Sequence, residues 1–280
     1  MKVTVLMENT ALEGCGLTPE HGLSLYIEYR GHKLLLDAGS SGKFADNAQA
    51  LGVDLAGVEL AALSHGHYDH ADGLRRFFQV NDRARVYVRP GAAGPYFAKD
   101  PDAYRFIGIG RDIWENTRDR FVEVEGVYPL TEGGWLVPGT VHDPAFAGQA
   151  ADLLVKRGED DFIPDDYRHE QSLVLEGEKG LVVFNSCSHG GIVNIVRGVL
   201  EQLPGKRIFA VVGGFHMFSR GKRGMNCDSE YVFRVADALR ELGVEEIYTG
   251  HCTGDVALGL LWERFGPGSH ALSTGQVLNF

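Results

Sequence analysis

Short apolar runs separated by glycine-rich breaks set the rhythm of this chain. Residues 3–7 and Leu23 to Glu28 predict strands, and Lys33-Leu34-Leu35-Leu36 predicts a third that stops at Asp37. Gly31-His32 between the last two predicts a hairpin turn. Phe44 to Leu51 carries apolar positions at helical spacing. Leu60-Ala61-Ala62-Leu63 reads as a buried strand, Gly73 to Val80 as a helix and Arg85 to Val88 as another strand. From near Phe121 the same texture returns. Ser172 to Glu176 and Leu181 to Phe184 predict a hairpin, Gly191 to Leu203 a helix and Ile208 to Val212 a strand. Ser229 to Leu242 predicts a helix and Glu246 to Thr249 a strand. No linker rich in Pro, Ser or charge separates the halves, so the expectation is one α/β domain over residues 1–280, its two sheets packed face to face. Residues 90–122 mix aromatics with prolines and glycines and read either as an insertion covering a site or as a packed surface excursion.

Composition narrows the function. Hydrophobic residues make up 44% and charged residues 23% of the 280, as a globular protein requires. The formal net charge of -11 argues against non-specific nucleic-acid binding, which needs cations to neutralise phosphates. It leaves room for a small anionic substrate in a local basic pocket. The N-terminus lacks a signal-peptide pattern, and no run reaches the length of a membrane span. Cys15, Cys187, Cys227 and Cys252 show no paired spacing, which fits a reducing cytoplasm.

The chemistry concentrates where strands end. The predicted strand at Leu60 to Leu63 runs into His65-Gly66-His67-Tyr68-Asp69-His70. In extended backbone His65 and His67 point the same way, and Asp69 continues the alternation. Three imidazoles and a carboxylate within six residues suit Zn(II), Fe(II) or Mn(II). Three further predicted strands lead to His189, His216 and His251. Strand ends converge on one rim, so distant histidines can meet there.

The run His65 to His70 resembles the His-x-His-x-Asp-His signature of the metallo-β-lactamase superfamily, and Asp37 before Gly39 resembles that superfamily's upstream aspartate. The likeness extends to one subfamily through Glu8-Asn9, His21-Gly22-Leu23-Ser24, Cys187-Ser188-His189-Gly190-Gly191-Ile192, Gly213-Gly214-Phe215-His216 and Thr249-Gly250-His251-Cys252-Thr253-Gly254. That subfamily is labelled 7,8-dihydropterin-6-yl-methyl-4-(β-D-ribofuranosyl)aminobenzene-5′-phosphate synthase-like. The resemblance implies a four-layer αβ/βα sandwich, two mixed sheets with helices outside. It implies two divalent metal ions, zinc first, with Mn or Fe as alternatives. His65, His67 and His189 would hold the first ion; Asp69, His70 and His251 would hold the second. The implied activity is hydrolysis of an ester-like bond, in a phosphorylated or pterin-like molecule, by a metal-activated hydroxide that Asp69 orients. Two alternatives stand: a synthase that joins pterin and aminobenzene units with pyrophosphate as leaving group, and a mononuclear iron oxidoreductase.

One departure from the superfamily falls at Asn185-Ser186-Cys187, where an aspartate often bridges the metals. Cys187 reads either as a thiolate ligand or as a packed thiol, and Cys252 reads as packing. In a second register His169 supplies the histidine of the first metal and His189 replaces the aspartate; the first register is preferred, because His189 and not His169 sits in the subfamily-like motif. His216 is expected to bind substrate or carry a proton, and His21 to line the pocket. Arg220, Lys222 and Arg223 form a basic stretch that reads equally as a phosphate-binding loop or a solvated one. Asp37 is expected to hydrogen-bond a ligand histidine rather than bind metal. The expected partner is a small-molecule substrate, with no nucleic acid and no membrane.

Overall fold

The computed structural model describes residues 1–219 and 224–280. Two compact units interleave along the sequence. The first comprises Met1–Val124, Asp152–Asp165 and Ser273–Phe280; the second comprises Glu125–Ala151 and Asp166–Leu272.

The first unit is built on a seven-stranded mixed sheet in the order Val277–Asn279, Lys2–Met7, Ser24–Tyr29, His32–Leu36, Leu60–Ala62, Arg85–Val88, Phe121–Glu123. The first three pairings are antiparallel and the next three parallel. Leu35, Ala61 and Val86 lie in register across the sheet and pack with Phe44, Ala48, Leu74 and Phe77 of the helices Lys43–Ala50 and Leu74–Val80. The alternate residues Val5, Leu25, Ile27, Leu34 and Leu36 are buried too, so the strands are apolar on both faces. The hairpin turn falls one residue before the expected position, on Arg30 and Gly31. Both adopt positive φ, as a two-residue turn matched to strand twist requires.

The second unit mirrors this pattern. Its seven strands run Ser269–Ala271, Glu246–Thr249, Ile208–Val212, Gly180–Phe184, Gln171–Gly177, Gly134–Pro138, Tyr128–Thr131. Three parallel pairings precede three antiparallel ones. Val174, Val183, Val211 and Ile247 align across the sheet and meet Val193, Val196, Val235, Leu239 and Leu261. These come from the helices Ile192–Gln202, Ser229–Glu241 and Asp255–Phe265. Asp228 caps the second of these by accepting from the Tyr231 N–H at 2.7 Å.

Residues 90–122 contain the strands Tyr96–Lys99 and Tyr104–Phe106 and the helix Arg111–Asn116. The two strands join Leu153–Lys156 and Phe162–Pro164 in a separate four-stranded antiparallel sheet. In both units the candidate residues follow the C-terminal ends of parallel strands, where open α/β sheets place their ligands.

Candidate functional site

In the first unit, strand His32–Leu36 delivers Asp37 and strand Leu60–Ala62 delivers Ser64 and His65. Asp37 is fully buried and adopts φ +58°, a strained conformation for a residue with a side chain. Its Oδ1 accepts the Ser64 N–H at 2.8 Å, and its Oδ2 accepts the Ser64 hydroxyl at 2.7 Å. Oδ2 also lies 2.8 Å from His70 Nδ1. A carboxylate only accepts, so His70 carries its proton on Nδ1. The Ser64 hydroxyl spends its proton on Asp37 and therefore accepts from His65 Nδ1, 2.8 Å away. One carboxylate thus fixes the tautomers of two histidines and leaves Nε2 of each as the basic nitrogen.

The backbone departs from the expected extended run. Ser64, His65 and Gly66 form a bend rather than a strand, and extended His67 is the N-cap of a helical turn over Tyr68–Ala71. Asp69 therefore does not continue the strand alternation. The turn instead sets Asp69 Oδ2 3.6 Å from His70 Nε2. The ring of His65 lies 4.5 Å from that of His67 and 4.3 Å from that of His70. Position 66 requires glycine: a Cβ on Gly66 would sit 1.9 Å from the Ala92 carbonyl oxygen. His21 reaches Asp69, with Nε2 3.2 Å from Oδ2, and Asn9 holds its turn by accepting from the Gly22 N–H. Glu8 accepts from the backbone N–H and the hydroxyl of Thr10.

In the second unit, three strand ends bring together Cys187, His189, His216, His251 and Cys252. His189 and His216 have ring centroids 4.4 Å apart, and Tyr167 stacks on His189 at 5.1 Å. Ser188, His216 and His251 all adopt positive φ, a cluster of strain of the kind that marks working sites. Asn185, which stands at the departure from the superfamily pattern, accepts from the Ser188 N–H and donates to the Ser172 hydroxyl. Its side chain shapes the loop. In its protonated form the Cys252 thiol donates to the Cys187 carbonyl, and Cys187, His251 and Cys252 present donor atoms within 4.8 Å of one another. Burial opposes ionisation of Cys252, but the Cys187 thiol, His251 and His216 overcome it and hold this thiol well below the ordinary cysteine range.

A model of the metallo-β-lactamase superfamily matches residues 17–197, well over half of the chain. The chain belongs to the metallo-β-lactamase superfamily. It is a metal-dependent enzyme of that superfamily, and its fold class is the expected α/β sandwich. It is 27% identical, over 100% of its own length and 97% of the relative's, to 7,8-dihydropterin-6-methyl-4-(β-D-ribofuranosyl)-aminobenzene-5′-phosphate synthase of Methanocaldococcus jannaschii. Among solved structures, Tm1679, a metal-dependent hydrolase of the β-lactamase superfamily, matches with a TM-score of 0.83 and 28% identity, covering 100% of this chain and 99% of that one. Zinc-bound PqqB of Methylobacterium extorquens shares the fold alone, with a TM-score of 0.59 and 13% identity over 100% of both chains. Superfamily members typically bind divalent metals, and the candidate donors fit such ions in chemistry: imidazole nitrogens, carboxylates and thiols.

Arg220 and Lys222 lie outside the described residues, as does Arg223. Among the described residues no helix is long and apolar enough to cross a membrane. Of the remaining histidines, His32 pairs with Glu59 and His270 stacks on Tyr248. Glu170 carries no motif that sequence reasoning could catch. It is buried, and its two carboxylate oxygens accept the N–H groups of His189 at 2.7 Å and Gly190 at 3.0 Å. Burial pushes its carboxyl up, while those two N–H groups pull it back. The only signal is the position of His169-Glu170 just before a predicted strand.

Proposed function

We propose that the protein hydrolyses an ester-like bond in a phosphorylated or pterin-like small molecule, with two divalent ions, zinc first, held by His65, His67, Asp69, His70, His189 and His251. The observation that carries this reading is the Asp37 network, which engages Nδ1 of His65 and His70 and leaves Nε2 of each as the atom that would meet a metal, His70 Nε2 lying 3.6 Å from the Asp69 carboxylate. The 28% identity to a metal-dependent hydrolase supports it further. When bound, divalent ions supply Lewis acidity and lower the pKa of water. The side chains do the rest. Asp69, steadied by His21, orients the attacking water and takes its proton. His216 returns a proton to the leaving oxygen. Arg220 and Lys222 supply positive charge for an anionic group on the substrate.

A second reading has its own support in the full-length match to the pterin–aminobenzene phosphate synthase. There the same donors would serve departure of pyrophosphate. One experiment separates the two. The zinc- or manganese-loaded protein is offered phosphoesters, pterin phosphates, and a pterin diphosphate with an aminobenzene acceptor. Hydrolysis abolished by Asp69→Asn supports the hydrolase. Acceptor-dependent pyrophosphate release without hydrolysis replaces it with the synthase.

A further inference from the structure

We propose that Cys187, His251 and Cys252 form a thiolate-bearing ligand set that selects a thiophilic divalent ion, zinc or cobalt, over manganese. The proposal shares His251 with the metal reading above and rests on that reading for this residue alone.

Three observations carry it. All three residues are buried, and their donor atoms lie within 4.8 Å of one another. Donors around one tetrahedral zinc stand about 3.3–3.8 Å apart, given Zn–S near 2.3 Å and Zn–N near 2.0 Å. Small side-chain adjustments therefore close the set on one ion.

The backbone is built for this approach. A Cβ on Gly213 would stand 1.9 Å from the Asn185 carbonyl oxygen, and one on Gly214 would stand 2.5 Å from Cys252 Sγ. The Gly-Gly pair thus lets the loop carrying Cys187 and the turn carrying His251 and Cys252 press together. His251 also accepts a φ of +50°, which sets the imidazole and the adjacent thiol on the same short turn.

The third observation is the donor chemistry. Two sulfurs and one imidazole form a soft set, preferred by zinc and cobalt; manganese favours oxygen. Both thiols release their protons to solvent on binding, and the ion takes up two Cys sulfurs and one His nitrogen. Buried cysteines that only pack are common, but two thiols and an imidazole converging from two loops exceed what packing needs.

Cobalt(II) loaded into the full-length protein tests the assignment without substrate. A near-ultraviolet sulfur-to-cobalt charge-transfer band is expected in the wild type. It should weaken in Cys187→Ser and in Cys252→Ser and vanish in the double variant. It should persist in Cys15→Ser/Cys227→Ser, which removes the other two thiols. Cys252→Ala serves as a second, apolar variant if the serine disturbs folding. A wild type that binds cobalt without the band, or fails to take up cobalt, overturns the proposal, as does a band unchanged in both Cys252 variants. An intact band in a protein that hydrolyses nothing would sink the hydrolase reading and leave the ligand set standing.

Discussion

Asp37 Oδ2 lies 2.8 Å from His70 Nδ1, and both side chains are completely buried. The same oxygen takes the Ser64 hydroxyl, and through it orders His65. A single carboxylate behind the cluster thus decides which nitrogen of two histidines faces forward. Its strained backbone shows that the position is held by the surrounding structure rather than by local preference.

Replacing Asp37 with Asn tests that role. The amide keeps the shape but loses the charge and one accepting oxygen. Metal affinity should fall by about 10–100-fold, the usual cost of losing such a supporting carboxylate. Stability of the metal-free protein should fall by about 1–3 kcal/mol through the unsatisfied buried donors. Equilibrium dialysis and denaturant unfolding read the two effects. Unchanged affinity would remove Asp37 from the account.

Two glycine substitutions should have opposite signs. Gly66→Ala forces a Cβ against the Ala92 carbonyl and should cost about 1–3 kcal/mol while shifting the His65–His67 loop. Gly259 sits in the helix Asp255–Phe265 with nothing within 4 Å of its would-be Cβ. Gly259→Ala should stabilise by about 0.5–1 kcal/mol. Chemical denaturation of both variants checks the pair.

Thiol labelling gives a pH-dependent test. Burial, helped by Asp228, pushes the Cys227 thiol up to about 11. Cys15 is exposed. Iodoacetamide near pH 8 should therefore alkylate Cys15 first, and Cys227 should react appreciably only as pH approaches 11. The folded state holds the Cys227 proton more tightly than the unfolded chain. Its contribution to stability is therefore present at neutral pH and lost as pH rises through about 11. Equal labelling rates near pH 8 would contradict this environment.

Much of this fold is legible in the sequence, for physical reasons. The strands Gly180–Phe184 and Ile208–Val212 announce themselves because strands apolar on both faces read as continuous runs. Helix Asp255–Phe265 escapes notice because Gly259 and the exposed Val256 and Trp262 blur its period. Strands Tyr96–Lys99 and Leu153–Lys156 pair across a long sequence separation that no local pattern carries. The histidine run stands out at once, but its helical turn at Tyr68–Ala71 does not. Alternation of polar residues cannot tell an extended loop from the first turn of a helix. Glu170 stays hidden because its role is to accept two backbone N–H groups, which leave no mark on the sequence.

The most direct test of the central claim is metal content per chain, measured on protein purified without added metal, for the wild type and for His67→Ala. The account predicts about two equivalents of divalent metal in the wild type, mainly zinc, and a large loss in the variant. A folded wild type that holds no metal, even after reconstitution with zinc, manganese or iron, would contradict it.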